Sequence, residues 1–165
     1  VSSGPGSFTG LRVGVATAKG LCFGLDIPLI AIDTLHSLAY GMKRQYPDRQ
    51  YYIPMIDARR MEVYTQIYDG QLSAVSEVQA LILSNEAFGD YLSGSTIALG
   101  GNGSQKFKSL CSSDHITYTN VRCDASWMMN LVAEKYAKQR FEDLSYFEPN
   151  YFKSANITKS KKNIL

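Results

Sequence analysis

The sequence is poor in the residue types on which metal sites, disulfide frameworks and many catalytic sets depend. It has three cysteines and two histidines in 165 residues. The cysteines show no metal-like spacing and are odd in number, so we expect free thiols in a reducing, cytoplasmic compartment. His36 and His115 are too far apart to resemble a metal-binding pair, and no Ser-His-Asp set can be assembled around them. We therefore assign no catalytic residue and no metal ligand, and we do not expect a self-sufficient enzyme.

Long apolar runs and strong charge are also missing. Lys19 and Asp26 interrupt the best candidate for a membrane span before it reaches roughly 18 residues, and no signal peptide is recognisable. The formal net charge is +2, which is too small to indicate a nucleic-acid-binding protein by itself. With 45% hydrophobic residues, the chain is expected to form one domain, or slightly more, away from membranes.

What the chain does have is a glycine-rich turn, Gly4-Pro5-Gly6, that leads into a predicted helix. Glycine tolerates the positive φ of a tight turn, and proline presets φ at its second position. Ser7 and Thr9 are candidate caps for the free amides of a helix that begins at about residues 8 to 10.

This turn has two interpretations, a plain connection or a cradle in which backbone amides bind an anion. It is not a Walker loop, because Gly10 is followed by Leu11 and Arg12 rather than by lysine and a hydroxyl residue. Arg12 is a candidate charge partner for an anion. The candidate nucleotide or anion contacts here are Gly4, Gly6, Ser7, Thr9 and Arg12.

Small residues form two rows along the predicted helix at a spacing of four. One row is Gly10, Gly14 and Ala18, and the other is Ala16, Gly20 and Gly24. Glycine inside a helix costs about 1 kcal/mol relative to alanine, so the rows need an offsetting gain, such as the close approach of another helix. The rows can pack inside the chain's own domain or against a partner. Because they lie on different faces, we expect one face to remain free.

The rest of the pattern alternates strands and helices. We expect Gly24 to cap the first helix, a strand over 27–32, and a helix over 35–45 capped by Asp33 or Thr34. We also expect an antiparallel meander over 51–56, 61–68 and 71–75, and helices over 84–92 and 127–140. Residues 146–152 are expected to pack against the body. The lysines that follow are expected to be solvated, with RNA contact as the alternative; they are Lys153, Lys159, Lys161 and Lys162.

Two further segments are candidates for binding. Gly100-Gly101-Asn102-Gly103 lies between an apolar strand over 96–99 and a short helix over 104–110, the layout of a nucleotide-binding crossover. Any tight strand-to-helix turn favours glycine, whether or not it binds a ligand. Gly101 and Gly103 are therefore candidate nucleotide contacts, with a plain turn as the alternative. The charged hairpin tip over 57–62 is either a solvated turn with local ion pairs or a contact for a partner protein or RNA phosphate.

The run GPGSFTGLRVGVATAKGL closely resembles the signature of the TsaB family, also called YeaZ, glycoprotease-like proteins of tRNA threonylcarbamoyladenosine biosynthesis. PMIDARRMEVY is similar to the hairpin that opens the second lobe in that family. The resemblance implies an α/β chain with the actin-like ATPase (ribonuclease H-like) fold and two lobes. On this interpretation residues 1–48 are the remainder of a first lobe truncated at its N-terminus, as a start at Val1 without methionine suggests. Residues 49–165 are the second lobe with its C-terminal helix and tail.

The resemblance also implies a function, a non-catalytic scaffold subunit of the complex that makes threonylcarbamoyladenosine in tRNA. In that family the glycine-rich helix packs against the catalytic paralogue TsaD, and the ATPase TsaE joins a complex that uses ATP. We expect no cofactor bound by this chain itself, while a homodimer and direct tRNA contact stay open. The expected partner interface comprises Gly10, Leu11, Gly14, Val15, Ala18 and Lys19.

The alternative function is a small ATPase or peptidase of the same superfold. It would show nucleotide turnover or proteolysis by the isolated protein, abolished by changes at Gly101 or Gly103. The shortage of nucleophile, base and metal ligands in the sequence favours the scaffold.

Overall fold

Two β-sheets organise residues 1–152, the part of the chain that the computed structural model describes. The strands are β1 (Ser2–Gly4), β2 (Ile32–Asp33), β3 (Tyr51–Asp57), β4 (Glu62–Thr65), β5 (Tyr68–Asp69), β6 (Gln79–Ile82), β7 (Ile97–Gly100) and β8 (Ile116–Tyr118). The helices are α1 (Phe8–Leu25), α2 (Thr34–Gln45), α3 (Gly89–Leu92), α4 (Ser104–Lys108) and α5 (Met129–Ala137), the last preceded by a 3₁₀ turn (Ala125–Met128). β1 and β2 form a parallel pair. The larger sheet has the order β6-β4-β3-β7-β8, and β5 also pairs with β3.

Strand β3 is the centre of the larger sheet, and its side chains alternate between two cores. Ile53 and Met55 are buried on one side with Phe107 of α4. Tyr52 and Ile56 are buried on the other side, against α2. Because successive side chains of a strand point to opposite faces, burial on both faces explains why β3 is apolar along most of its length.

Helix α2 packs on the larger sheet through its apolar side. Of its two predicted caps, Asp33 is the one observed, since the His36 amide donates to Asp33 Oδ1 at 2.9 Å. Leu35, Leu38 and Met42 are fully buried against the sheet. The predicted boundary near residue 48 falls between α2 and β3 and stays a prediction, but the buried side of α2 belongs to the core of the larger sheet.

Helix α1 begins as predicted, with the Gly10 amide donating to Ser7 Oγ at 3.3 Å. Its predicted end is wrong. The helix continues past Gly24 to Leu25, and Asp26, in the left-handed region at φ +51°, is the cap. The predicted strand over 27–32 is reduced to β2, because Pro28 has no amide hydrogen and Leu29 forms only an isolated bridge with Glu142.

The predicted meander is correct for β3 and β4 but wrong for its third strand. Residues 71–75 make only a bridge from Ala74 to Tyr68, and the strand that pairs with β4 is β6. Local bonds hold the intervening chain in a turn, since Asp69 Oδ1 accepts the amides of Gln71 and Ser73, each at 2.8 Å. A single bridge therefore remains where the sequence predicted a third strand.

The predicted helices over 84–92 and 127–140 are both shorter in the structure. Phe88, at φ +66°, interrupts the first, so that only α3 remains. Gln139, at φ +51°, lies just beyond the end of the second, which begins with the 3₁₀ turn. No helix of residues 1–152 is both long and apolar enough to cross a membrane.

The tail up to residue 152 packs against the body, as predicted. The Asn150 amide donates to the Ser3 carbonyl at 2.8 Å, and the Tyr151 ring lies 5.0 Å from the Phe8 ring. The four predicted tail lysines, from Lys153 onward, lie outside the described residues.

Candidate functional site

Helix α1 has one face that packs inside the chain, and this face contains much of the predicted partner interface. Val15 is 4% exposed, and Leu11 is half-buried. The Lys19 ammonium donates to the carbonyls of Phe147 and Ser145 at 3.1 and 3.5 Å. Val15 and Lys19 are thus engaged with the chain's own residues, and the contact of the predicted interface with a partner stays a prediction.

The opposite face of α1 is exposed and apolar. Val13 is 61% exposed and Phe23 is 84% exposed. Side chains three and four residues apart share one side of a helix, so these two residues flank the second of the two small-residue rows. We call this set the outer face of α1: Val13, Ala16, Gly20, Phe23 and Gly24.

Three glycines of α1 have no packing role within the described residues. A Cβ added at Gly14, Gly20 or Gly24 would meet no heavy atom within 4 Å outside its immediate surroundings in the helix. Each glycine costs about 1 kcal/mol of helix stability relative to alanine. The structure therefore shows no internal contact that offsets this cost, and it leaves room for a closely approaching partner.

A second feature is a cleft of about 480 Å³ between the start of α1 and the larger sheet. The glycine turn forms one wall, the β3–β4 hairpin and Asn102 form the opposite wall, and the tail over 150–152 closes one side. Of the predicted anion contacts, Gly6, Ser7 and Thr9 line this cleft. Their contact with a ligand stays a prediction.

Asp57 is the acidic residue of the cleft wall, and it is bound by its own chain. Lys106 Nζ donates to Asp57 Oδ1 at 2.6 Å and to the Glu62 carbonyl at 3.2 Å. The Arg59 amide also donates to Asp57 Oδ1, at 2.7 Å. Partial burial acts to raise the pKa of Asp57, but the bonds from Lys106 and the Arg59 amide outweigh it and lower the pKa overall. The carboxylate is thus ionised and paired at neutral pH.

The pairing between Asp57 and Lys106 has no local signal in the sequence. The two residues are 49 positions apart and belong to different elements. The pairing follows from the order of strands in the sheet. Because β3 and β7 are parallel neighbours, their carboxyl ends meet at one edge of the sheet.

Gly101 and Gly103, the other predicted nucleotide contacts, face the protein rather than the cleft. Gly101 has φ +95°, and a Cβ there would lie 2.3 Å from the Met55 carbonyl oxygen. A Cβ at Gly103 would lie 2.7 Å from Val63 Cγ1. Both glycines therefore allow the turn to pack closely on β3, which accounts for them without a ligand.

Of the two remaining predicted anion contacts, one is buried and the other is exposed. Gly4, at φ +104°, is buried against the Asn150 carbonyl oxygen, which would lie 3.0 Å from an added Cβ. Arg12 is exposed, with its guanidinium 5.2 Å from the centroid of the Phe8 ring. Within residues 1–152, no three His, Cys, Asp or Glu side chains form a group that could hold a metal ion.

A match to a known family model covers nearly the whole chain. A family model described as "TsaD: tRNA N6-adenosine threonylcarbamoyltransferase" matches residues 1–159. The chain belongs to this family.

Within the TsaD family, the resemblance to TsaB is confirmed by curated relatives. The tRNA threonylcarbamoyladenosine biosynthesis protein TsaB of Bacillus subtilis is 41% identical over 88 residues, which are 52% of this chain and 37% of that protein. TsaB of Escherichia coli is 43% identical over 65 residues, 39% of this chain and 28% of that protein. A tRNA N6-adenosine threonylcarbamoyltransferase of Nitratidesulfovibrio vulgaris is 49% identical over 47 residues, 27% of this chain and 13% of that protein. The chain thus spans about a third of the length of the TsaB relatives that it matches.

Solved structures confirm the fold. YeaZ from Pseudomonas aeruginosa superposes with a TM-score of 0.76 at 23% identity, covering 91% of this chain and 71% of that chain. A protein described as similar to peptidase YEAZ from Pseudomonas aeruginosa gives the same TM-score at 22% identity, covering 92% and 71%. This TsaD-family chain therefore has the predicted α/β fold of the actin-like, ribonuclease H-like type.

Proposed function

We propose that this chain is a non-catalytic scaffold subunit of a complex that makes threonylcarbamoyladenosine in tRNA. The observation that carries the proposal is the outer face of α1, which is apolar and exposed and contains glycines with no internal packing role. In a family whose members are named for this modification, such a face suits a closely packed helix of another subunit.

The expected partner is a TsaD-like catalytic paralogue from the same genome. Small residues let two helix backbones approach closely, and the rings and branched side chains beside them supply the apolar contact. A TsaE-like ATPase would join the complex, which would use ATP and take tRNA as its substrate. In the absence of the paralogue, the same face would support a homodimer, because an exposed apolar patch favours self-association.

The test is size exclusion with light scattering on the chain alone and mixed with the TsaD-like protein. We expect a one-to-one complex that displaces any homodimer. Gly20→Leu places a large side chain in the centre of the outer face, and it should abolish the complex. Ala133→Leu adds the same side chain to an exposed position of α5 and should leave the complex intact. Independent elution of the two wild-type proteins would contradict the proposal.

The cleft favours a second candidate, a small ATPase. Its volume of about 480 Å³ is within the range of roughly 300–1,000 Å³ that ligand pockets occupy. The pairing of Asp57 with Lys106 weighs against it, since a metal–nucleotide complex would have to displace the lysine from the carboxylate. Nucleotide turnover by the purified chain, lost on Asp57→Asn, would support the ATPase over the scaffold.

A further inference from the structure

Phe8, Tyr151 and Arg59 line the cleft, and two further arginines, Arg12 and Arg60, lie next to these residues. On the α1 side, the Arg12 guanidinium lies over the Phe8 ring, and that ring contacts Tyr151 of the tail. On the hairpin side, Arg59 and Arg60 form the tip between β3 and β4. We call these five residues the cleft mouth.

The hairpin side of the cleft mouth carries exposed positive charge. Arg59 and Arg60 are exposed, and within residues 1–152 no hydrogen bond or ion pair engages either guanidinium. The nearby acid, Asp57, is already paired with Lys106. Both arginines have left-handed φ angles, +72° and +46°, in a hairpin closed by the Ala58 amide, which donates to the Glu62 carbonyl at 3.0 Å.

The aromatic side chains of the cleft mouth remain accessible. Phe8 is 41% exposed and Tyr151 is 42% exposed, with ring centroids 5.0 Å apart and the planes tilted by 41°. Accessible rings on the α1 side of the cleft and exposed arginines on the hairpin side fit a ligand that combines flat apolar surfaces with negative charge. An acidic peptide would satisfy the arginines but would offer no flat surface to the rings.

We infer that the cleft mouth binds a single strand of RNA. Arg59 and Arg60 contact its phosphates, and Phe8 and Tyr151 stack against its bases, the combination used for single strands. Arg12 adds charge beside Phe8. This inference rests on the proposed function, which assigns the chain to a complex acting on tRNA, and it adds a direct contact between this chain and the substrate.

The test is fluorescence anisotropy of a labelled single-stranded RNA of about 12 nucleotides, within the usual site size, titrated with the full chain alone. The double variant R59Q/R60Q should weaken binding at least tenfold and reduce the slope of log affinity against log salt by about 1–2. F8L and Y151L, which keep an apolar side chain but remove the ring, should each weaken binding about fivefold. The charge-matched control K43Q/R44Q, at the end of α2, should change affinity less than twofold.

Two outcomes would overturn the inference. One is unchanged affinity for R59Q/R60Q. If a chain ending at Phe152 then loses binding, RNA is bound by the lysine-rich stretch over 153–165. The other is equal affinity for a mononucleotide, which would make the cleft a nucleotide site. The scaffold is tested separately, because R59Q/R60Q should still form the complex with the TsaD-like protein, whereas Gly20→Leu should still bind RNA.

Discussion

Replacing Gly101 by alanine tests whether the glycines of the β7–α4 turn serve packing. Gly101 has φ +95°, and a Cβ would lie 2.3 Å from the Met55 carbonyl oxygen and 2.7 Å from Leu38 Cδ2. A non-glycine residue in the left-handed region costs about 1–2 kcal/mol, and overpacking a close-fitting site costs about 1–3 kcal/mol more. We therefore expect Gly101→Ala to lower the free energy of unfolding by about 2–5 kcal/mol.

The assay is urea unfolding followed by circular dichroism. With a slope of about 2 kcal/mol per molar urea, a loss of about 3 kcal/mol lowers the midpoint by about 1.5 M. The matched control is Gly24→Ala, at an exposed helical glycine with no neighbour within 4 Å, which should raise the free energy of unfolding by up to about 1 kcal/mol. A Gly101→Ala midpoint equal to that of the wild type would refute the packing argument and would restore Gly101 as a candidate ligand contact.

Substitutions at four other residues test individual contacts. Asp33→Ala should lower the free energy of unfolding by about 1 kcal/mol, because the α2 cap is lost. Asp33→Asn keeps the cap and removes a carboxyl whose pKa is raised by burial, so it should be no less stable than the wild type at pH 7. A large loss of stability in the asparagine variant would contradict this. Burial lowers the pKa of His36, so the unfolded chain binds more protons and stability should fall as pH drops below about 6.5; His36→Gln should flatten that slope in urea midpoints measured against pH. Lys106→Met should raise the pKa of Asp57 in an NMR titration. The loss of stability should be under about 1 kcal/mol, because the pair is partly exposed. An unchanged pKa of Asp57 would exclude the ion pair. Lys19→Met removes two bonds to tail carbonyls and should speed amide exchange over residues 145–150, and unchanged exchange would show that the tail is held by other contacts.

Local signals in the sequence were sufficient for the helices with clear caps and for the strands with clear alternation. Ser7 and Asp33 were recognised as caps because a hydroxyl or carboxylate at that position bonds the free amides of the first turn. Phe88 and Gln139 were not predicted as breaks, because the left-handed region is usually occupied by glycine and neither residue is glycine.

The sequence predicted the helix on which the candidate site lies but not the face of it that is exposed, and the partner contact itself stays a prediction. The small residues of α1 marked the helix, but the sequence could not say which row faces the core. That depends on where the tail and the glycine turn pack, as Lys19 and Val15 show. The bond from Lys106 to Asp57 was likewise invisible, because it follows from strand order in the sheet rather than from spacing along the chain.

The most direct test of the scaffold is hydrogen–deuterium exchange of the chain with and without the TsaD-like protein. If the outer face of α1 is the docking surface, peptides covering residues 13–24 should gain protection in the mixture, and peptides covering α5 should not. Gly20→Leu should abolish the gain. Unchanged exchange across α1 in a mixture that still forms a complex would place the interface elsewhere and contradict the account.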